Sequence, residues 1–222
     1  MPSAEKKDRK RRSKGEQTRE MILDGALRVL ARDGLRGVTH RAVAAEAGVQ
    51  LSLTTYYFKD IDALIEQAFE LFCERARPTN ENIWTTLFDY MDRYSPAELR
   101  KNAVRERICA DLADMATDII LQGVAEKPEG LAVEQVFLSS VPQAENLREM
   151  ATQHRQSLLN PLVRLCSLVN KRDPEIDAAL LLDTMTRLEY EALLLAPEEI
   201  DRDYIARLLR RQIGWALGLK RA

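Results

Sequence analysis

The sequence predicts an all-α protein: a small N-terminal helix-turn-helix domain followed by a larger helical domain. Three observations carry this prediction. Apolar residues recur at helical spacing along most of the chain, and no segment shows the strict alternation of a half-buried strand. Gly and Pro fall where helices should begin and end. The window from His40 to Phe58 has the pattern of two short helices joined by a tight turn.

The elements follow in order. Residues 1–12, rich in Lys and Arg, are expected to form a disordered basic arm. Ser13 and Glu16 have the spacing of a capping box, so a first helix is expected from there. Its core face is Ile22, Leu23, Ala26, Leu27 and Leu30, and Gly34 is placed to end it in a left-handed conformation. Thr39 is a good N-cap for a short second helix. A third runs from about Gln50 to Phe58. Asp60 can cap a fourth, which should stop near Pro78, with a separate helix over about 80–94. Ser95-Pro96-Ala97-Glu98 combines a cap, a Pro at the first position and a Glu at the third, and predicts a long helix to about Ala125. Pro128 with Gly130, Pro142, and Asp173-Pro174 mark further boundaries. The last two helices are expected at about 175–195 and 201–217.

Composition narrows the function. With 222 residues, 45% hydrophobic and 31% charged, the chain can bury a full core. No run of 18 apolar residues suggests a membrane span, and the basic N-terminus lacks an apolar signal core, so the cytoplasm is the expected location. Cys73, Cys109 and Cys166 are far apart in apolar segments and are expected to be free thiols. With His40 and His154 also distant, no metal or cofactor is expected. No nucleophile–base pairing or glycine-rich phosphate loop supports an enzyme, so an all-helical enzyme stands as the least favoured reading. Charge is uneven. Residues 1–62 hold 13 Lys and Arg against nine Asp and Glu, and the remainder holds 20 against 26. A basic head suits phosphate binding, because Lys and Arg displace counterions from DNA.

The helix-turn-helix window carries the specific chemistry. Val43 and Ala47 give its first helix an apolar face, and the small Ala44 permits a close crossing. Gly48 supplies the positive φ of the turn, and Val49 fills the space beneath it. Thr54 and Phe58, four apart, should face the core. The second helix should then enter the major groove. Gln50 can pair with adenine, and Ser52 with a base or phosphate. Leu51 and Leu53 can touch a thymine methyl or pack on the neighbouring helix. Tyr56, Tyr57 and Lys59 are candidates for the DNA backbone. Thr39, His40 and Arg41 sit at a helix N-terminus, where an anion is favoured.

These residues form a wider pattern: Thr18, Arg19, Ile22, Leu23, Ala26, Leu27, Leu30, Gly34, Val38, Thr39, Arg41, Val43, Ala44, Ala47, Gly48, Val49, Tyr56, Tyr57, Phe58, Ala63 and Leu64. About 50 residues in this arrangement resemble the TetR family of bacterial repressors. The resemblance implies a homodimer, a three-helix DNA-binding domain and a larger domain for ligand binding and dimerisation. It divides the chain into an arm (1–12), a DNA-binding domain (13–59) and a ligand-binding and dimerisation domain (60–222). Operator DNA is the implied partner, and release by a small-molecule effector the implied control. A dimer with no such effector is the alternative. Two positions depart from the family pattern. Ile61 stands where a phosphate-binding Lys is usual, and Thr55 where an aromatic is usual. Backbone contacts should therefore lean on Tyr56, Tyr57 and Lys59.

In the body, the last two helices carry more Leu than one core-facing stripe needs, including Leu180, Leu181, Leu182, Leu188, Leu193, Leu194 and Leu195. They are the expected dimer surface. Candidate pocket residues are Phe69, Phe72, Trp84, Phe88, Met91, Ile108, Leu112, Met115, Ile119 and Phe137, with core packing as the plainer role for each. Asp111, Asp114 and Asp118 share one helical face, either as a solvated surface or as a site for a cationic effector.

Overall fold

The computed structural model describes the backbone of residues 3–139 and 144–219, with side chains from residue 14 onward in those ranges. Among the described residues there are nine α-helices and no strand. They are α1 (Ser3–Gly37), α2 (His40–Ala47), α3 (Leu51–Tyr57), α4 (Ile61–Met91), α5 (Asn102–Glu126), α6 (Pro128–Ser139), α7 (Glu145–Val169), α8 (Pro174–Leu193) and α9 (Arg202–Ala216). Short 3-10 turns at Glu98–Arg100 and Pro197–Glu199 precede α5 and α9. The chain divides into two compact units: Met1–Arg75 with Ala132–Met150, and Ala76–Leu131 with Ala151–Ala222.

In the first unit, α1 buries Ile22, Leu23, Ala26 and Leu30 as expected from spacing, but Val29 takes the buried place expected for Leu27, which is half-buried. Val43, Ala44 and Ala47 of α2, Thr54 of α3, Phe58, and Leu64, Ile65, Ala68 and Phe69 of α4 complete this core. Gly34 adopts φ +68, which interrupts α1 where the sequence placed its end. The segment 132–150 also belongs here. Phe137 stacks on Phe69 with ring centroids 3.6 Å apart, Phe72 stacks on Phe69 at 5.6 Å, and Asn146 Nδ2 donates to Glu66 Oε2 at 3.0 Å. The first unit therefore runs past the boundary expected at 59/60, because the first half of α4 supplies the head's core.

In the second unit, α5, α8 and α9 enclose a core that includes Ile108, Leu112, Ile120, Leu181, Leu188 and Leu209. Arg105 ties the turn before α5 and the end of α9 into it: its Nε donates to Leu99 O at 2.6 Å and a terminal nitrogen to Leu217 O at 3.1 Å. Cys109 Sγ donates to Arg210 O at 3.1 Å, and burial pushes this thiol up. Cys166 is pushed up to about 12, also by burial. Cys109 and Cys166 are free and buried, whereas Cys73 is half-buried.

Three boundaries differ from expectation. α1 begins at Ser3, so it takes in most of the arm expected at 1–12. Residues 3–14 contain no Gly or Pro and are dominated by Ala, Glu, Lys and Arg, which are good helix formers. Pro78 does not end its helix. α4 continues through it to Met91, with the ring removing only the hydrogen bond to the carbonyl four residues earlier. The box at Ser95 and Glu98 forms as expected, with Ser95 N donating to Glu98 Oε2 at 2.9 Å, yet it starts only a single 3-10 turn. Lys101 is extended, and α5 starts afresh at Asn102. The Leu99 carbonyl is turned to Arg105 instead of continuing a helix. Pro161, where no boundary was expected, likewise lies inside α7. The boundary expected at Pro142 lies outside the described residues.

Candidate nucleic-acid interface

The interface candidate is built on α2 and α3, eight and seven residues long. Helices this short are not stable alone, so their ends and their packing must hold them. Thr39 Oγ1 accepts a hydrogen bond from Ala42 N at 3.1 Å, and Val43 N donates to Thr39 O at 2.9 Å. The N–H groups of His40 and Arg41 are then left as helix-end donors, as at any capped N-terminus. At the other end Gly48 takes φ +66, ψ 32. Val49 N donates to Ala44 O at 3.0 Å and Gly48 N to Ala45 O at 3.3 Å. This paired closure reverses the chain in one residue and requires the left-handed conformation.

α3 starts after Gln50, which is extended and makes no side-chain cap. Thr54 and Phe58 are almost fully buried, as their spacing required, and Phe58 N closes the helix on Thr54 O at 3.0 Å. Thr54 Oγ1 donates to Leu51 O at 2.8 Å, so its hydroxyl is satisfied inside. The outward residues are consequently Gln50, Leu51, Ser52, Thr55, Tyr56 and Lys59, all exposed. Tyr56 is 79% exposed and Leu51 44%. Leu53 is half-buried, in keeping with packing. Thr55 Oγ1 donates to the Ser52 backbone carbonyl at 3.2 Å, so the Thr55 hydroxyl is turned back on its own helix. Thr39 and Arg41 are exposed beside α3's partner helix. His40 is half-buried, with its Nδ1 buried and unpartnered among the described residues. Tyr57 differs from Tyr56: it is half-buried, its ring edge-on to Tyr56 at 5.1 Å. Asp60 caps α4, its Oδ1 accepting from Ala63 N at 2.8 Å, and Ile61 is half-buried.

Two supports for this interface escaped the sequence reading. The first is Gly25. A Cβ there would lie 2.9 Å from Ala47 Cβ and 3.1 Å from Ala47 N, so α1 and α2 cross with no room for a methyl group. The second is a charge clamp. Arg28 Nε and Arg32 each reach Glu46, at 2.7 Å and 2.8 Å, and the two guanidinium groups hold the Glu46 carboxyl below the usual carboxylate range. Arg75 extends the same device from α4 to Glu20 and Asp24 of α1 at 2.9 Å and 2.5 Å. Nothing local signals either support, because the partners are 14 to 55 positions apart.

A short head with a capped first helix, a glycine reversal and an outward second helix is the geometry that inserts a recognition helix into the major groove. Residues 22–68 match the family described as bacterial regulatory proteins, tetR family. The head of the chain and the start of α4 are therefore similar to the DNA-binding region of that family. A curated relative, the HTH-type transcriptional regulator PksA of Bacillus subtilis (strain 168), is 21% identical over 205 residues, covering 89% of each protein. Solved structures agree on the fold. A transcriptional regulator from Rhodococcus sp. Rha1 has a TM-score of 0.60 at 20% identity, covering 90% of this chain and 96% of that one. A TetR-family member from Streptomyces coelicolor A3 has 0.56 at 23%, covering 88% and 97%. The multidrug binding protein EbrR, complexed with imidazole, has 0.52 at 20%, covering 88% and 89%. With this head, the chain is a DNA-binding transcriptional regulator.

The expected pocket residues are not gathered in one unit. Phe69, Phe72 and Phe137 stack together in the first. Met91, Ile108 and Leu112 belong to the core of the second, with Trp84 and Met115 packed against it and Ile119 half-buried. Trp84 and Phe88 lie 6.4 Å apart, and Arg164 sits 4.2 Å over the Phe88 ring. The acidic face of α5 is largely engaged. Asp111 accepts from the Tyr90 hydroxyl at 2.6 Å, and Arg202 reaches Asp118 at 2.8 Å and Asp114 at 4.0 Å. No group of three or more His, Cys, Asp or Glu among the described residues could hold a metal ion. No helix among them is long and apolar enough to cross a membrane.

Proposed function

We propose that this regulator is a cytoplasmic, homodimeric repressor that reads a palindromic operator and is released from it by a small-molecule effector bound in the helical body. The observation that carries the reading is the outward face of α3. Gln50, Leu51, Ser52, Thr55 and Tyr56 stand exposed on a helix whose opposite side, Thr54 and Phe58, is locked into the core. Gln50, Leu51 and Ser52 occupy the N-terminal part, where side chains reach base edges. Thr39, His40 and Arg41 at the start of α2, with Tyr56 and Lys59, serve the backbone. No catalytic chemistry is assigned.

The dimer reading rests on α8 and α9. Ile176, Leu180, Tyr190 and Leu194 are exposed along α8 and its end, and Tyr204 and Trp215 along α9. Apolar side chains so placed gain from burial against a second copy. Two copies give two recognition helices, which suits half-sites one or more helical turns apart. The effector reading is supported by the likeness in fold to EbrR, a protein described as multidrug binding. An effector acts only through a difference in affinity between the DNA-competent and incompetent states.

In vitro selection of the operator, followed by binding titrations at several salt concentrations, tests the reading. The expected site is palindromic, and Gln50→Ala should relax base preference by about 1–3 kcal/mol at one symmetric position. A selected site without two-fold symmetry would overturn the dimer reading. A ligand screen by thermal shift, with DNA release as the second readout, tests the effector. DNA binding that no shifting ligand weakens would favour the effector-free alternative.

A further inference from the structure

We propose that α8 pairs with α8 of a second copy of this chain, antiparallel and centred on Met185, and that Asp183 and Arg187, meeting across the two-fold axis, select that register. The inference rests on the dimer reading and adds to it the register and the residues that choose the partner.

The outward side of α8 is a single seam. Ile176, Leu180, Asp183, Arg187 and Tyr190 are exposed, and apart from Glu175 no other residue of the helix is. Leu194, the exposed C-cap, keeps a right-handed helical conformation and continues the row. The six positions follow one another in steps of four, three, four, three and four, the spacing of a coiled-coil seam. At 3.6 residues per turn they fall within about 80° of the helix circumference. The opposite side, with Ala178, Leu181, Leu182, Leu188 and Ala192, is buried in the body. One exposed Leu needs no partner. Four large apolar side chains on one seam mark a surface that gains from being covered.

The seam has the same character read from either end. Ile176 and Leu194 close it, Leu180 and Tyr190 come next, and Asp183 and Arg187 stand in the middle, each pair centred on position 185. Two copies related by a two-fold axis make reciprocal contacts. Antiparallel pairing about Met185 therefore sets Ile176 against the partner's Leu194, Leu180 against the partner's Tyr190 and Asp183 against the partner's Arg187. A parallel pairing would oppose like charges at both central positions, which disfavours it. An antiparallel shift of one heptad would set both charged residues against apolar ones. Only the centred antiparallel register matches apolar with apolar and charge with opposite charge. Within the chain, Asp183 Oδ1 accepts from Arg155 at 3.0 Å, and Arg187 donates through Nε and one terminal nitrogen to Glu191 Oε1 at 2.9 Å and 2.6 Å. These bonds use one oxygen of Asp183 and two nitrogens of Arg187, so the second oxygen and the third nitrogen can serve a partner across the axis.

The test purifies Asp183→Arg and Arg187→Asp chains separately and then mixes them, with dimerisation followed by sedimentation and heterodimer by native mass spectrometry. Each variant alone opposes two pairs of like charge at the axis, so its dimer should weaken about tenfold or more. In the mixed dimer both pairs are again opposite in sign. Heterodimer should then form with nearly the affinity of the unsubstituted chain, well above the share that random exchange gives. Each chain keeps its own internal loss on mixing, the bond to Arg155 or to Glu191, so recovery comes from across the axis. Undiminished dimerisation of the single variants, or a loss that mixing does not recover, would overturn the register. Failure of the dimer reading looks different, because the unsubstituted chain would then sediment as a monomer at every concentration. Should either variant unfold, Leu180→Cys and Tyr190→Cys chains are mixed under mild oxidation instead. They should crosslink to each other, whereas Leu180→Cys alone should crosslink no more than the unsubstituted chain, because equal positions lie about 15 Å apart along the helices. Crosslinked dimers of Leu180→Cys alone would overturn the antiparallel pairing.

Discussion

The two units solve the same problem, fixing helices in place, by different means. The second is held mainly by bulk: Ile108, Ile120, Leu188 and Leu209 fill its core, with Arg105 tying in the turn before α5 and the end of α9. The first must position two helices of eight and seven residues, and it relies on geometry that tolerates almost no change. Gly25 admits Ala47, Gly48 turns the chain, and Glu46 draws in Arg28 and Arg32. A recognition surface needs orientation more than it needs total stability. A body needs the reverse.

That contrast can be broken or sharpened by substitution. The largest loss should come from Leu209→Ala in the body, where the side chain is fully buried: about 2–5 kcal/mol in urea unfolding, from lost transfer energy and the cavity left behind. A volume-conserving change there, Leu188→Met, should cost under about 1.5 kcal/mol. Next comes Gly25→Ala in the head. One methyl group forced against Ala47 should cost about 1–3 kcal/mol and weaken operator binding more than the stability loss explains. If Gly25→Ala binds DNA normally, the head is more compliant than its crossing suggests. Gly48→Ala should cost about 1–2 kcal/mol, because a Cβ is strained at φ +66.

The smallest effect is electrostatic. Glu46 is held below its ordinary pKa by Arg32 and Arg28, so its contribution is complete above the unfolded value and is lost as pH falls through the folded one. Glu46→Gln should therefore lower the melting temperature slightly at pH 7, with the difference vanishing in acid and shrinking in high salt. A difference that persists at pH 2 would point to packing instead of charge. The body offers the opposite sign. Burial raises Cys166 to about 12, so its protonated form favours the fold below the thiol's ordinary value of 9.0, and that contribution fades as the pH climbs toward 12. In the native protein at pH 8, Cys109 and Cys166 should resist thiol reagents and react only on unfolding. Rapid native labelling at either would show that the body opens more readily than its core implies.

The head was the more legible unit because its devices are local. Thr39 and Gly48 act through their own dihedrals and neighbours within five residues, while Thr54 and Phe58, four apart, mark the buried side of α3, and all four do what their positions required. The body was legible in kind but not in punctuation. Pro78 and Pro161 lie inside helices because tertiary packing outweighs one missing hydrogen bond. The box at Ser95 and Glu98 formed without launching α5, because Arg105 took the carbonyl that a continuous helix would have used.

By itself, the sequence determined the all-helical class, the position of the helix-turn-helix and the inward and outward sides of α3. Those follow from periodicity and turn chemistry, which operate over a few residues. Only the tertiary structure decided that α1 reaches back to Ser3, that Gly25 meets Ala47, that Glu46 joins two arginines, and that Tyr57 turns toward Gly15 while Tyr56 faces outward. The contacts among these pair positions 14 to 42 residues apart. No short-range rule selects among the partners available at that distance. Close packing does, by admitting the one arrangement in which the small residues meet and the charges are paired.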